Sequence, residues 1–360
     1  MEKILKNFNK VTFQLDLIQW FLNEQRILPW RQDKDPYKIW VSEIMLQQTR
    51  VETVIPYFNN FIEKFPSLEA LANAEEEHVL KAWEGLGYYS RARNLQSAVK
   101  EVVTDYGGKV PNDVKELSKL KGVGPYTQGA ILSIAFDIPE PAVDGNVMRV
   151  LSRILFIEDD ISKVKTRKLF ENVIREIISV DHPSEFNQGI MELGALVCTP
   201  KSPSCLLCPV QQHCRAFNEG RENELPFKTT KKSTKEVLLT ALVLKNNEGK
   251  ILVQKRPKEG LLANLWELPN HEIHQDSMYD QVEQIQQFMK AKYNLDVSIG
   301  DHLMNLKHEF SHLIWKINVY NAYTEGTIEN SEYSQFLASD ELSKLPFPVS
   351  YKKIMKEINL

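Results

Sequence analysis

The chain has 360 residues, 42% of them hydrophobic and 26% charged, with a formal net charge of −4 at pH 7. This length exceeds what one core normally fills, so two domains of soluble globular composition are expected. No run of about 18 apolar residues is present to span a membrane, and the start MEKILKNFNK lacks the apolar core of a secretion signal, so a cytoplasmic protein without a membrane partner is expected.

Up to about residue 220 the apolar periodicity is helical. Ile44, Val51, Val54, Ile55, Phe58, Phe61, Ile62 and Phe65 recur at steps of three, four or seven, which predicts one long amphipathic face. Within it, Glu43 stands among apolar side chains in IWVSEIML, near the expected start of a helix. Desolvation there raises a carboxyl pKa and suits a general acid, whereas capping and the helix dipole explain the same residue without chemistry. Further helical patterns run through 79–85, 92–103, 128–136, 147–156 and 169–178, separated by turn signals such as YGGKVPND and IPEPAVDGN.

In LSKLKGVGPYTQGAIL, residues 117–132, a helix is expected to end near Leu120, Gly122 and Gly124 bracket a tight turn, and Pro125 opens the next helix. Such a hairpin aims backbone N–H groups outward at a helix N-terminus, where they can hold a phosphate; a plain helix–helix turn reads the same way. Asp144, in AVDGNVMRVLSRIL, precedes a strongly periodic helix and is either its N-cap or a catalytic carboxylate.

All four cysteines fall in LVCTPKSPSCLLCPVQQHC, residues 196–214, as Cys198, Cys205, Cys208 and Cys214. In a reducing compartment such a cluster points to metal ligation before disulfides, and thiolates suit zinc or an iron–sulfur cluster, with zinc ahead on spacing alone. The stretch GRENELPFKTTKKSTKE follows, with Lys228, Lys231, Lys232 and Lys235 close together, and reads as a solvated linker rather than a DNA contact. From about Val237 the period becomes that of strands: VLLTALVLKNNEGKILVQKRP as strand, turn, strand; QVEQIQQFMKAKYNL as a helix; HLMNLKHEF and LIWKINVYNAYT as strands again. The expected division is a helical domain over 1–220, a linker over 221–235 and an α+β domain over 236–360.

Taken together, the GVGPYT hairpin, AVDGNVMRV and the four-cysteine loop resemble the endonuclease III superfamily of helix-hairpin-helix glycosylases. Within it, SEIMLQQTRV, EGLGYYSRARNL, GVGPYT, VDGNV and ELGALVC resemble the adenine DNA glycosylases of the MutY family. The resemblance implies a [4Fe-4S] cluster held by Cys198, Cys205, Cys208 and Cys214. It also implies that Glu43 protonates adenine at N7 while Asp144 stabilises an oxocarbenium-like sugar, with Tyr126 and Asn146 supporting Asp144. Bifunctional members carry a lysine where Tyr126 stands, so base removal without a strong lyase step is expected; Lys121 is a weak substitute or a phosphate contact. Removing a base from a duplex requires flipping it out of the stack. By the resemblance Gln48 and Tyr88 wedge into the duplex, Trp30, Arg31 and Gln188 line the adenine pocket, and Thr49, Leu86, Gly87, Gly122 and Gly124 are further DNA contacts. Read without the family, Gln48 is helix surface and Tyr88 a core tyrosine.

The C-terminal strands resemble the NUDIX-like domain of this family, most clearly in KRPKEGLLANLWELPN. The following helix carries one glutamate and no R-E-x-x-E-E cluster, so metal-dependent nucleotide hydrolysis is not expected. The segment HEFSHLIW matches the one that reaches 8-oxoguanine, which makes Phe310, Ser311 and His312 candidates; an ordinary strand end is the alternative. The expected protein is a monomeric, monofunctional glycosylase acting on double-stranded DNA with adenine opposite 8-oxoguanine or guanine, and a basic stripe on one face is compatible with the net negative charge. A bifunctional glycosylase–lyase, a noncatalytic lesion binder and a zinc-stabilised module are the alternatives.

Overall fold

The computed structural model describes residues 1–229, 234–274 and 280–360. Lys231 and Lys232 of the expected linker lie outside the described residues. Before the first strand come α1 (Glu2–Leu5), α2 (Lys10–Glu24), α3 (Pro36–Leu46), α4 (Val51–Lys64), α5 (Leu68–Asn73), α6 (Glu76–Ala82), α7 (Ser90–Asp105), α8 (Val114–Lys119), α9 (Pro125–Phe136), α10 (Gly145–Leu155), α11 (Val164–Ile177), α12 (Pro183–Leu196) and α13 (Arg215–Asn218). The second half runs β1 (Lys235–Lys245), β2 (Ile251–Lys255), β3 (Trp266–Glu267), β4 (Asn270–Glu272), α14 (Gln281–Tyr293), β5 (Ser298–Glu309), β6 (Leu313–Tyr323), β7 (Ser334–Leu337), α15 (Ser339–Leu342) and α16 (Val349–Glu357).

The apolar repeat expected to form one face from Ile44 to Phe65 is interrupted. The polar stretch QQTR ends α3 and turns the chain, with Gln48 at φ 58°, before α4 buries Val54, Phe58 and Phe61 on its own face. Glu43 accordingly lies in the last turns of α3, not near its start. The N-cap is Asp35, whose side chain accepts from the Tyr37 N–H at 2.8 Å. Capping therefore does not account for Glu43.

Contacts group the chain into two compact units, Met1–Asn73 with Asn94–Thr230, and Ala74–Arg93 with Lys231–Leu360. In the first, α2, α10, α11 and α12 bury Phe13, Leu17, Val147, Val150, Phe170, Phe186 and Ile190 in one core, and Cys198, Cys208 and Cys214 pack against it. A smaller cluster, Ile39 with Ala130, Ile134 and Ala142, joins α3 to α9 and carries Tyr126 at its edge. Gly129 makes that joint possible: a Cβ there would stand 1.9 Å from the Pro141 carbonyl oxygen, so the segment leading to Asp144 runs in backbone contact with α9.

Among the described residues, the second unit is built on a seven-stranded sheet of order β3-β2-β1-β6-β5, with β4 pairing β1 and β7 pairing β2. β1 and β6 are parallel over eleven residues, from Lys235 opposite Leu313 to Lys245 opposite Tyr323, and β5 and β6 form an antiparallel hairpin. Alternate residues of β1 point to opposite faces, so Val237, Leu239, Ala241 and Val243 pack with Tyr351 and Ile354 of α16, while Leu242 and Leu244 pack with Ile285 and Met289 of α14. α6, the loop after it and the first turn of α7 belong to this unit, although the sequence places them among the helices.

Candidate active site

The hairpin between α8 and α9 brings the first site residues together. Gly122 adopts φ 80°, a left-handed conformation that a side chain resists, and its missing Cβ would lie 2.8 Å from the Asn94 Cβ. Gly124 caps α9, Pro125 opens it, and Tyr126 follows one residue later. The Tyr126 hydroxyl donates to Glu43 Oε2 at 2.5 Å, so its hydrogen bond goes to Glu43 and not to Asp144, which the resemblance had it support.

Glu43 is 5% exposed. Burial raises its pKa to about 7, the neighbouring Asp144 charge adds to the rise, and the Tyr126 hydrogen bond and the Arg31 charge oppose it. Asp144 is the N-cap of α10: Oδ1 accepts the Val147 N–H at 2.8 Å and Oδ2 accepts from Asn146 Nδ2 at 2.9 Å. The cap reading of Asp144 thus holds, and its second oxygen is held by Asn146. Burial pushes its pKa up, against these hydrogen bonds. Tyr126 is driven well above its ordinary value by burial and by the two carboxylates, so it stays a donor.

A second cluster is an ion-pair network centred on Glu192, 1% exposed. Arg26 Nε and Nη2 donate to its two oxygens at 2.9 Å each, and Arg31 Nη1 and Nη2 donate at 3.2 and 3.0 Å. Burial alone would raise the Glu192 pKa, but the hydrogen bonds from Arg26 and Arg31 hold it at about 2. Arg31 Nε donates to Gln188 Oε1 at 3.0 Å, and Gln188 Nε2 donates to Ser184 Oγ at 3.0 Å, which fixes the Gln188 amide. Trp30 is buried and meets Phe58 edge-on, with centroids 5.4 Å apart.

Most of these groups line one cleft of about 600 Å³, a size suited to a nucleotide. Of the candidates, it gathers Trp30, Arg31, Glu43, Gln48, Thr49, Gly122, Gly124, Tyr126, Asp144, Asn146 and Gln188. Arg26, Gln47, Thr127, Met191 and Glu192 also line it, and sequence reasoning missed them. A glutamate in the apolar run GIMELGAL was the one readable signal for Glu192. Gln48 sits at the turn after α3, exposed and with positive φ, and not on a helix surface.

The remaining DNA candidates belong to the second unit. Gly87 and Tyr88 line a cleft of about 360 Å³ together with Phe310, Ser311 and His312. Tyr88 is 51% exposed with φ 46°, so the core-tyrosine alternative falls; the buried tyrosine of the pair is Tyr89. Leu86 is buried and does not line this cleft. Phe310, Ser311 and His312 are the turn of the β5–β6 hairpin, closed by the Phe310 N–H donating to the Leu313 carbonyl at 2.7 Å. Phe310 packs edge-on against His308 and Trp315, with centroids at 4.6 and 4.9 Å.

Cys198, Cys205, Cys208 and Cys214 line a third, small cavity against Val150, Ile154 and Leu193. Burial pushes the Cys208 and Cys214 thiols up to about 12 and about 11. Arg153 Nη1 donates to Cys198 Sγ at 3.2 Å and to the Thr199 carbonyl at 2.8 Å. Among the described residues no three His, Cys, Asp or Glu side chains are grouped to hold a single metal ion.

Comparison with known proteins agrees with this geometry. Residues 41–176 match the HhH-GPD superfamily of base excision DNA repair proteins, and residues 240–357 match the NUDIX domain. Adenine DNA glycosylase of Rattus norvegicus is 34% identical over 96% of this chain and 77% of its own length; that of Buchnera aphidicola from Schizaphis graminum is 37% identical over 82% and 83%. The chain belongs to the adenine DNA glycosylase family. It is a hydrolase of N-glycosyl bonds in base excision DNA repair, the activity expected from its motifs. The Homo sapiens adenine DNA glycosylase is 33% identical over 96% of this chain and 73% of its own length. Among solved structures, a thermostable thymine-DNA glycosylase superposes with TM-score 0.53 at 26% identity, covering 58% of this chain and 97% of that one. A non-covalent endonuclease III–DNA complex superposes with TM-score 0.50 at 25% identity, covering 59% and 98%. The helix-hairpin-helix glycosylase fold followed by a NUDIX-like domain is therefore that of the family. Among the described residues, no helix of this adenine DNA glycosylase is long and apolar enough to cross a membrane.

Proposed function

We propose that the enzyme removes adenine paired with 8-oxoguanine or guanine in double-stranded DNA, as a monomer and without strand cleavage. The observation that carries this reading is the pair of a buried Glu43 and a half-buried Asp144 in one cleft, their environments arranged differently: Glu43 takes one hydroxyl hydrogen bond, whereas Asp144 takes a backbone N–H and an amide. With its pKa at about 7, Glu43 is substantially protonated at neutral pH and suited to deliver a proton to adenine N7. As the C1′–N9 bond breaks, its electron pair leaves with the base, and the Asp144 carboxylate stabilises the sugar cation. Water then adds at C1′ and its proton returns to Glu43. Tyr126 and Asn146 hold the two carboxylates, while Arg31, Gln188 and Trp30 shape the adenine pocket.

Among the described residues no lysine lines the cleft, and Tyr126 stays protonated, which supports hydrolysis over a Schiff-base route. Lys121 is exposed and is not part of the lining. Gln48 in the first unit and Tyr88 in the second, each a non-glycine residue at positive φ, are each assigned a wedging contact with the duplex, because strained backbone of this kind concentrates at functional sites. Phe310, Ser311 and His312 read the 8-oxoguanine edge, with Thr49, Leu86, Gly87, Gly122 and Gly124 supporting DNA contacts. The four cysteines, which line one small cavity, are assigned to a [4Fe-4S] cluster, one thiolate per iron, as the family resemblance implies. When bound, the cluster ties the loop after α12 to the core.

The test is a single-turnover assay on a labelled duplex with adenine opposite 8-oxoguanine, split between hot alkali and no treatment. Breaks only after alkali, faster opposite 8-oxoguanine than opposite guanine, are expected. Breaks without alkali overturn the monofunctional reading, and no base loss in either sample removes the roles of Glu43 and Asp144.

A further inference from the structure

Within the second unit, the loop bearing Tyr88 is fastened at several points. Gly85 and Gly87 have φ 109° and 72°, so the turn that presents Tyr88 is built from left-handed backbone. Trp83 Nε1 and Arg91 Nη2 both donate to the Gly87 carbonyl at 3.2 Å, and the Arg91 guanidinium lies 5.7 Å over the Tyr88 ring. At the base of the loop, the Glu84 carboxylate, 7% exposed, accepts from the Phe347 N–H, Lys81 Nζ and Lys352 Nζ, each at 2.9 Å. The Tyr89 hydroxyl accepts from the Gly85 N–H at 3.2 Å and donates to the Phe347 carbonyl at 3.4 Å. Lys81 also donates to the Leu345 carbonyl at 2.9 Å. Phe347 packs in the core beneath the sheet, and the next two residues, Pro348 and Val349, line the same cleft as Tyr88 and Ser311.

We infer that Glu84 is a positioning residue for lesion discrimination: by joining the base of the Tyr88 loop to the backbone at Phe347, it sets the spacing between Tyr88 and Ser311, which line the same cleft. The inference rests on the assignment of this cleft to 8-oxoguanine. A buried carboxylate bound to one N–H and two ammoniums is a stiff, charge-assisted joint, and the Tyr88 loop then moves with the Phe347 segment as one body. Insertion of the aromatic wedge and recognition of the oxidised base become a single event. Guanine lacks the edge that Ser311 reads and gains nothing from the fixed spacing.

The experiment compares single-turnover adenine excision opposite 8-oxoguanine and opposite guanine for Glu84→Ala, Glu84→Gln, Lys352→Met, Ser311→Ala and the Glu84→Ala/Ser311→Ala double variant, with thermal melts of each. Glu84→Ala is expected to slow the 8-oxoguanine pair about tenfold, the scale of one charge-assisted hydrogen bond, and the guanine pair by less than about twofold. Glu84→Gln, which keeps an acceptor for the Phe347 N–H, recovers part of the loss, and the double variant is no worse than Ser311→Ala alone. Lys352→Met, at an ammonium half exposed to solvent, moves the ratio the same way with little risk to folding. If both pairs slow equally in Glu84→Ala and Lys352→Met, or neither slows, the joint is merely structural and the inference is overturned. If Ser311→Ala leaves the preference intact, the cleft assignment itself fails. Loss of preference in Ser311→Ala but not in the Glu84 and Lys352 variants removes the positioning role alone.

Discussion

Replacing Glu43 by Gln is expected to make the protein more stable and nearly inactive, with both effects set by the same burial. A carboxyl with its ordinary pKa of 4.5 is protonated in about 0.3% of molecules at pH 7, whereas one raised to about 7 is protonated in about half. Burial thus enlarges the acid-competent population by about two orders of magnitude. The same rise is a stability term: with the folded pKa above the unfolded one, the neutral carboxyl's contribution is complete below about pH 4.5 and is lost as pH climbs through 7. At pH 8 the charged carboxylate costs on the order of 3 kcal/mol relative to a neutral isostere. Glutamine is that isostere, and its carbonyl still accepts from Tyr126. Denaturant titrations at pH 5 and pH 8 are expected to show Glu43→Gln stabilised at pH 8 by roughly 2–3 kcal/mol and little changed at pH 5. Single-turnover excision should fall by about 10²–10⁴, and the parent rate should decline as pH rises above about 7. A flat rate profile from pH 6 to 9 together with unaltered stability at pH 8 would refute both the burial argument and the general-acid role.

Asp144→Asn keeps a good N-cap for α10, so its unfolding midpoint should stay near the parent's while excision drops by about 10³ or more; equal losses of stability and rate would reduce Asp144 to a cap. Glu192→Gln leaves Arg26 and Arg31 without their buried counter-charge and is expected to destabilise by about 3 kcal/mol, measured by denaturant titration at pH 7. Because the Glu192 pKa is depressed to about 2, its contribution is present above the ordinary carboxylate range and fades as pH falls toward 2, so the gap between parent and variant should narrow in acid. Cys208→Ala should remove the broad visible absorption of an iron–sulfur protein and lower the iron content of the purified chain; colourless parent protein containing one zinc would restore the zinc reading.

What the sequence disclosed and what it withheld divide along contact distance. The hairpin 117–132, the helix after Asp144 and the strand pattern from Val237 were legible because turn chemistry and side-chain period are local properties. Local reasoning misplaced Glu43 for the same cause: the repeat running through Ile44 to Phe65 masked the QQTR break, so a residue in the last turns of α3 read as one near a helix start. The missed partners are long-range. Arg26 and Glu192 are separated by 166 residues, and neither has a neighbour in sequence that announces the pairing. The same holds for the segment of α6 and its loop, which reads as one more helix of the first half and yet joins Phe347, Lys352 and Trp266 through Glu84 and Glu77. The motif GLGYYSR identified Tyr88 as a candidate, but only the folded chain places its ring in the same cleft as Ser311, more than 200 residues further on. Candidate residues that the cleft gathers were therefore legible in short motif stretches, whereas the groups that set their charge and spacing became visible only through contacts that topology makes.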